Sequence, residues 1–119
     1  MAMIGFSESD YTAVEGGEDI SVCIVLVSLT GQVNEEVFVG INTVRGSPLS
    51  FSVSGAVNLT GIEVGEAILC GSPVIEDDMI FMELQQSILS AFVEAFAVTF
   101  APDGDSASII VIDNDGMYN

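Results

Sequence analysis

Apolar side chains along this chain recur mostly at every second position, in short runs separated by Gly, Pro, Ser and Thr, and that period predicts strands. Residues 18–28 (EDISVCIVLVS) are rich in Val and Ile and sit between Gly16-Gly17 and Thr30-Gly31, which predicts a buried strand. Residues 35–44 (EEVFVGINTV) set Val37, Val39, Ile41 and Thr43 on one face, and Arg45, Gly46, Ser47 and Pro48 end the run as a turn. Strand-like runs follow at 49–53 and 56–59, and a further strand centres on Ala67, Ile68, Leu69 and Cys70. Residues 94–100 and 106–112 flank Ala101, Pro102, Asp103, Gly104 and Asp105, a cluster of hairpin length. About seven short strands at this spacing predict an all-β fold, an immunoglobulin-like antiparallel sandwich of two sheets. One stretch has another period. Phe81, Leu84, Ile88 and Phe92 recur at helical spacing and predict a short helix over 81–92, the alternative being a strand extended through Met79, Ile80, Phe81 and Met82.

A length of 119 residues gives one domain, read as 1–116 with 117–119 opening a linker or tail. Half the residues are apolar, which excludes disorder, and no stretch reaches the roughly 18 uninterrupted apolar residues of a membrane span. Met1 to Tyr11 has neither a basic n-region nor an apolar h-region, so no signal peptide is expected and the sequence reads as a domain of something larger.

Charge changes the picture most. Eighteen acidic side chains stand against one base, Arg45, for a net charge of −17. Neutralisation must come from cations, counterions or a basic partner. Nucleic acid and anionic membranes, which attract Lys and Arg, are poor partners for such a chain. Catalysis is not expected either: His is absent, no G-x-S-x-G or phosphate loop occurs, and no Trp offers a sugar platform.

The acids gather at Glu15, at Glu76, Asp77 and Asp78, and at Asp113 and Asp115 around Asn114. Calcium takes six to eight oxygens, and only tertiary folding brings acids this far apart in sequence together. Magnesium, which demands near-octahedral geometry and keeps its waters, suits such a set less well. Other acids have plainer readings, Asp103 and Asp105 as turn formers and Glu35, Glu36, Glu63 and Glu66 as solvated strand ends. Cys23 and Cys70 both fall in predicted strands, where a disulfide and two buried thiols are open alternatives; zinc is excluded for want of further ligands. Asn58-Leu59-Thr60 matches the N-glycosylation sequon.

Several motifs in order resemble one family. They are Ile4 to Thr12 with Val14-Glu15-Gly16, then Ser21 to Leu26, Asn42 to Ser47, the run Val74-Ile75-Glu76-Asp77-Asp78, and Ser106 to Asp115. Together they cover nearly the whole chain and resemble the Calx-beta domain, found in pairs in the cytoplasmic loop of sodium–calcium exchangers and in extracellular arrays of adhesion receptors and sponge aggregation factors. The resemblance implies Ca2+ held at one end of the sandwich by Glu15, Glu76, Asp77, Asp113 and Asp115, with Asp78 in the same run and Glu94 just before the sixth strand. It also implies a Cys23–Cys70 disulfide between neighbouring strands, closing a loop of 47 intervals (70 − 23). The chain departs from the family where Ser50 stands in place of an Asp ahead of an aromatic, where Asn114 replaces an acid, and in a long 78–94 segment whose interior holds only Glu83. Fewer or weaker sites are therefore expected.

Two functions follow as expectations. The first is a calcium-binding extracellular repeat that stiffens a multidomain adhesion or cell-communication protein, with neighbouring domains, other proteins or glycans as partners; a cytoplasmic regulatory loop is the alternative address. The second is a metal-independent spacer or protein-binding sandwich.

Overall fold

The computed structural model describes residues 1–14, 19–45, 49–74 and 85–112, and every regular element among them is a strand. In chain order these are β1 (Ala2–Phe6), β2 (Asp10–Val14), β3 (Val22–Leu29), β4 (Glu36–Thr43), β5 (Ser52–Asn58), β6 (Ala67–Gly71), β7 (Gln85–Glu94), β8 (Val98–Phe100) and β9 (Ser106–Ile112). One sheet has four strands in the order β6-β3-β1-β8, the other five in the order β2-β9-β7-β4-β5. The two-sheet all-β sandwich expected from the sequence is the fold.

Alternation sets the core. Val37, Val39 and Ile41 of β4 face Ile4 of β1 and Val22, Ile24 and Leu26 of β3 across the two sheets, and all are fully buried. Although β3 is apolar almost throughout, only one of its faces is covered. Cys23 and Val25 are half-buried and Val27 is exposed, so β3 is less buried than its composition suggests.

The first and last strands explain the topology. Successive strands β1 and β2 lie in different sheets, and so do β8 and β9. Each pair is one run of chain that starts in the four-stranded sheet, crosses the sandwich midway and continues in the five-stranded sheet. The two runs travel together, which makes β1 parallel to β8 and β2 parallel to β9, in contrast to the fully antiparallel sandwich expected. At the crossing, Phe6 N–H donates to the Gly104 carbonyl at 3.0 Å and Ala101 N–H to the Ile4 carbonyl at 2.9 Å. Tyr11, itself buried, brings its hydroxyl to Ser7 Oγ at 2.9 Å and accepts from Glu8 N–H at 3.3 Å, which fixes the first crossing. A Cβ on Gly104 would stand 3.2 Å from Gly5 Cα and 3.0 Å from the Ala101 carbonyl oxygen, all backbone with no freedom to yield. Gly104→Ala is therefore expected to cost about 1–3 kcal/mol, read as a lower denaturant midpoint at unchanged slope.

Three other expectations change. Residues 101–105 are not a hairpin turn, because the strands they join belong to different sheets; Asp103 does serve as a turn former, with φ of 60°. Residues 49–59 hold the single strand β5, paired with β4 from Ser52 to Asn58. The helix expected over 81–92 is replaced from residue 85 onward by strand β7, while 81–84 lie outside the described residues. Ser87, Leu89 and Ala91 point inward and are buried, whereas Ile88 is exposed and Phe92 half-buried on the outer face. Of the four residues that carry the helical period, the two that are described, Ile88 and Phe92, both lie on the outer face of a strand. Phe92 earns its place by lying over Gly40 and against Phe38, with ring centroids 5.9 Å apart.

Candidate functional site

Strand directions sort the loops between two poles. At one pole β2 and β9 end, β6 ends and β7 begins. The register fixes this: Val14 is the partner of Ile112, Gln85 that of Val111, and Gly71 that of Val22 at the start of β3. The 15–21, 44–51 and 72–84 connections attach at this end, as does the chain after residue 112. At the other pole β1, β4 and β8 begin and β3, β5 and β7 end.

Glu15, Glu76, Asp77, Asp78, Asp113 and Asp115 lie outside the described residues. The described strand ends that lead to them all stand at the first pole. Chain leaves β2 and β9 side by side at Val14 and Ile112, and the next residues in sequence are Glu15 and Asp113. Glu94 is a correction. It closes β7, ten residues long, at the far end from Gln85, which separates it from the first pole by about 30 Å, far beyond any shared coordination sphere. The sequence reading sets Glu94 just before a strand, whereas it is the last residue of β7 and the next strand starts only at Val98.

Among the described residues, no group of three or more Cys, Asp or Glu side chains converges to hold a metal ion. Asp10 is occupied otherwise, accepting from Ser108 Oγ at 2.7 Å across the β2–β9 pair. Asp105 stands before β9 and its carbonyl accepts from Ala91 N–H at 2.9 Å, in keeping with a structural acid. Glu66 turns back to accept from Glu63 N–H at 2.7 Å, so these two build the turn ahead of β6.

Glu35 has a role that the sequence did not reveal. Instead of standing in solvent, its Oε1 accepts from Ala97 N–H at 2.7 Å and ties the β3–β4 connection to the β7–β8 connection. The two residues are 62 positions apart, and no local pattern signals the contact.

Cys23 and Cys70 are bonded to each other. They stand directly opposite in the β3–β6 pair, on the outer face, with Cys23 half-buried and Cys70 exposed. The bond staples two strands of one sheet and leaves the core to aliphatic side chains. Asn58, the last residue of β5, is exposed, and its Oδ1 accepts from Thr60 N–H at 2.9 Å in a local turn.

No protein-family model matches the sequence, and no curated protein matches it. Solved structures do. The apo form of the Calx CBD1 domain superposes with a TM-score of 0.71 at 19% identity, covering 96% of this chain and 98% of that one. Two further structures, CBD12 from CALX1.2 and the calcium binding domain CBD12 of CALX1.1, each give a TM-score of 0.68 at 19% identity. A two-domain protein of unknown function from Bacteroides fragilis gives 0.63 at 10% identity. This chain spans about 46% of the length of each of those three. At such identities the likeness speaks for architecture, and it bears out the resemblance drawn from the sequence motifs: this chain has the fold of the Calx CBD1 domain.

Proposed function

We propose that this chain is a calcium-binding module whose ions sit where β2, β6 and β9 end and β7 begins, held by Glu15, Glu76, Asp77, Asp78, Asp113 and Asp115. The observation that carries the proposal is the parallel register of Val14 with Ile112, joined by Gln85 opposite Val111. Three acidic stretches scattered over the sequence attach to one pole through it, and the fold is that of a structure described as a calcium binding domain. Carboxylates gathered there repel one another unless a cation compensates them. Their oxygens are hard donors, and weak binding on the order of 10⁻⁴ to 10⁻³ M is characteristic of extracellular modules.

The disulfide favours an extracellular setting, because such bonds persist in oxidising compartments, and the exposed sequon asparagine is compatible with one. In an array, a preceding domain joins at the pole where β1 starts and a following one at the pole where β9 ends. An ion at the second pole then fixes the departing chain and stiffens the junction in an adhesion or cell-communication protein.

Calorimetric titration of chelator-treated protein tests the reading. Saturable heat is expected with calcium in the millimolar range and little with magnesium. A flat titration up to roughly ten times the weakest constant expected of such modules rejects it and leaves a metal-independent spacer.

A further inference from the structure

The pole opposite the acidic segments carries a side chain that does nothing for the fold. Phe96 is 99% exposed, in the short connection between β7 and β8. Its neighbours are held firmly. Ala97 N–H donates to Glu35 Oε1 at 2.7 Å, and the Ala97 carbonyl accepts from Ala2 N–H at 2.8 Å. Ala95 and Ala97 both pack against the core, so the backbone is anchored on either side of a ring turned wholly outward. A connection of this kind needs only a small polar residue at its tip. An aromatic ring there, on an anchored backbone, is preorganised contact surface.

Charge around the ring identifies what it meets. Glu35, Glu36 and Glu94 line a shallow cleft with Ala95 and Phe96, of about 390 Å³. Glu35 is engaged with Ala97, whereas Glu36 and Glu94 are exposed. The single Arg or Lys of the chain, Arg45, follows the far end of β4, some nine residues from Glu36 and about 30 Å away along the strand. The amino group of Met1 is turned to the Thr30 carbonyl at 2.6 Å. No cation of the chain is therefore placed to satisfy Glu36 and Glu94. A second copy, with a net charge of −17 and one base, would be repelled.

We infer that Phe96 with Glu36 and Glu94 forms a docking surface for a basic segment of another protein, one that sets an Arg or Lys over the ring and between the carboxylates with an apolar side chain alongside. A guanidinium is suited to both contacts, since it stacks on an aromatic face while its N–H groups reach carboxylates. The inference is independent of calcium, which is proposed for the other pole.

The test uses the full chain and a synthetic peptide, acetyl-Leu-Arg-Leu-Arg-Leu-amide, with its Glu-for-Arg counterpart, followed by backbone amide shifts with calcium and again with chelator. Expected are saturable shifts at Glu36, Glu94, Ala95, Phe96 and Ala97 with the Arg peptide and none with the Glu peptide. Phe96→Ser should weaken binding at least tenfold at an unchanged melting temperature. Glu36→Gln with Glu94→Gln should weaken it and remove most of its salt dependence. The inference fails if the Glu peptide shifts the same amides, if the Arg peptide shifts acidic positions all over the surface without regard to Phe96, or if sedimentation shows a dimer that Phe96→Ser dissociates.

Discussion

On the proposed reading, calcium is expected to raise the melting temperature of the chelated protein by about 10 °C, with Asp77→Asn abolishing most of that rise and Asp105→Asn and Glu94→Gln leaving it whole. The size follows from linkage: an ion present at 100 times its dissociation constant stabilises the folded state by about 2.7 kcal/mol, and each kcal/mol moves the midpoint of a domain this long by roughly 3–6 °C. The discrimination follows from position. Asp77 follows β6, which ends at the pole where β2 and β9 end, and on the proposed reading Asn leaves an oxygen there but takes away the charge that holds the ion, without altering any described strand. Asp105 precedes β9 and serves the fold through its backbone carbonyl, bonded to Ala91, which the Asn substitution preserves. Glu94 stands at the other end of β7. Differential scanning fluorimetry on the four proteins, with calcium and with chelator, decides the matter. Equal losses in all three variants would mean that net charge alone, and no shared site, governs the response.

Much of the fold could be read from local pattern, and what could not be read has a common cause. Val37, Val39 and Ile41 announce a strand with one covered face because the period of the backbone is written directly into the side chains. Nothing in 7–9 or 101–105 announces a change of sheet, since the change is made by contacts between segments almost 100 residues apart, such as the Phe6 N–H bond to Gly104. The parallel pairs were hidden for the same reason. Ile88 and Phe92 misled because outward apolar residues on β7 fall at helical spacing, with Phe92 satisfied by Gly40 and Phe38, a strand away. At the candidate site, the acidic clusters were plain in the sequence, but which pole an acid occupies depends on strand direction. Strand direction sets Glu94 at the pole opposite the strand ends that lead to the other acids, and the bond from Ala97 N–H draws Glu35 out of solvent; local pattern signals neither.

Loss of the Cys23–Cys70 bond lowers stability by about 4 kcal/mol, the loop-closure entropy of a 47-residue separation, and takes the melting temperature down by more than about 10 °C. The bond lies on the outer face of the sheet, so Cys23→Ala with Cys70→Ala opens no cavity in the core, and the β1–β3 ladder is expected to survive with its hydrogen-exchange pattern intact. The strand at risk is β6. It is an edge strand, held on one side only by β3 through a short ladder from Val22–Gly71 to Val25–Ala67. Without the bond its amides should exchange faster than those of β3, a local opening on top of the global loss. Because Cys70 precedes Glu76 by six positions, β6 also fixes where the acidic run begins. On the proposed reading, loosening β6 makes the ion bear the cost of ordering that run, so the cysteine-free variant should bind calcium more weakly as well as melt earlier. Denaturant unfolding, hydrogen exchange and calcium titration of the variant beside the oxidised protein separate these effects. An unchanged midpoint means the bond does not form, whereas a lowered midpoint with unaltered calcium affinity means that the strand and the acidic run are energetically independent.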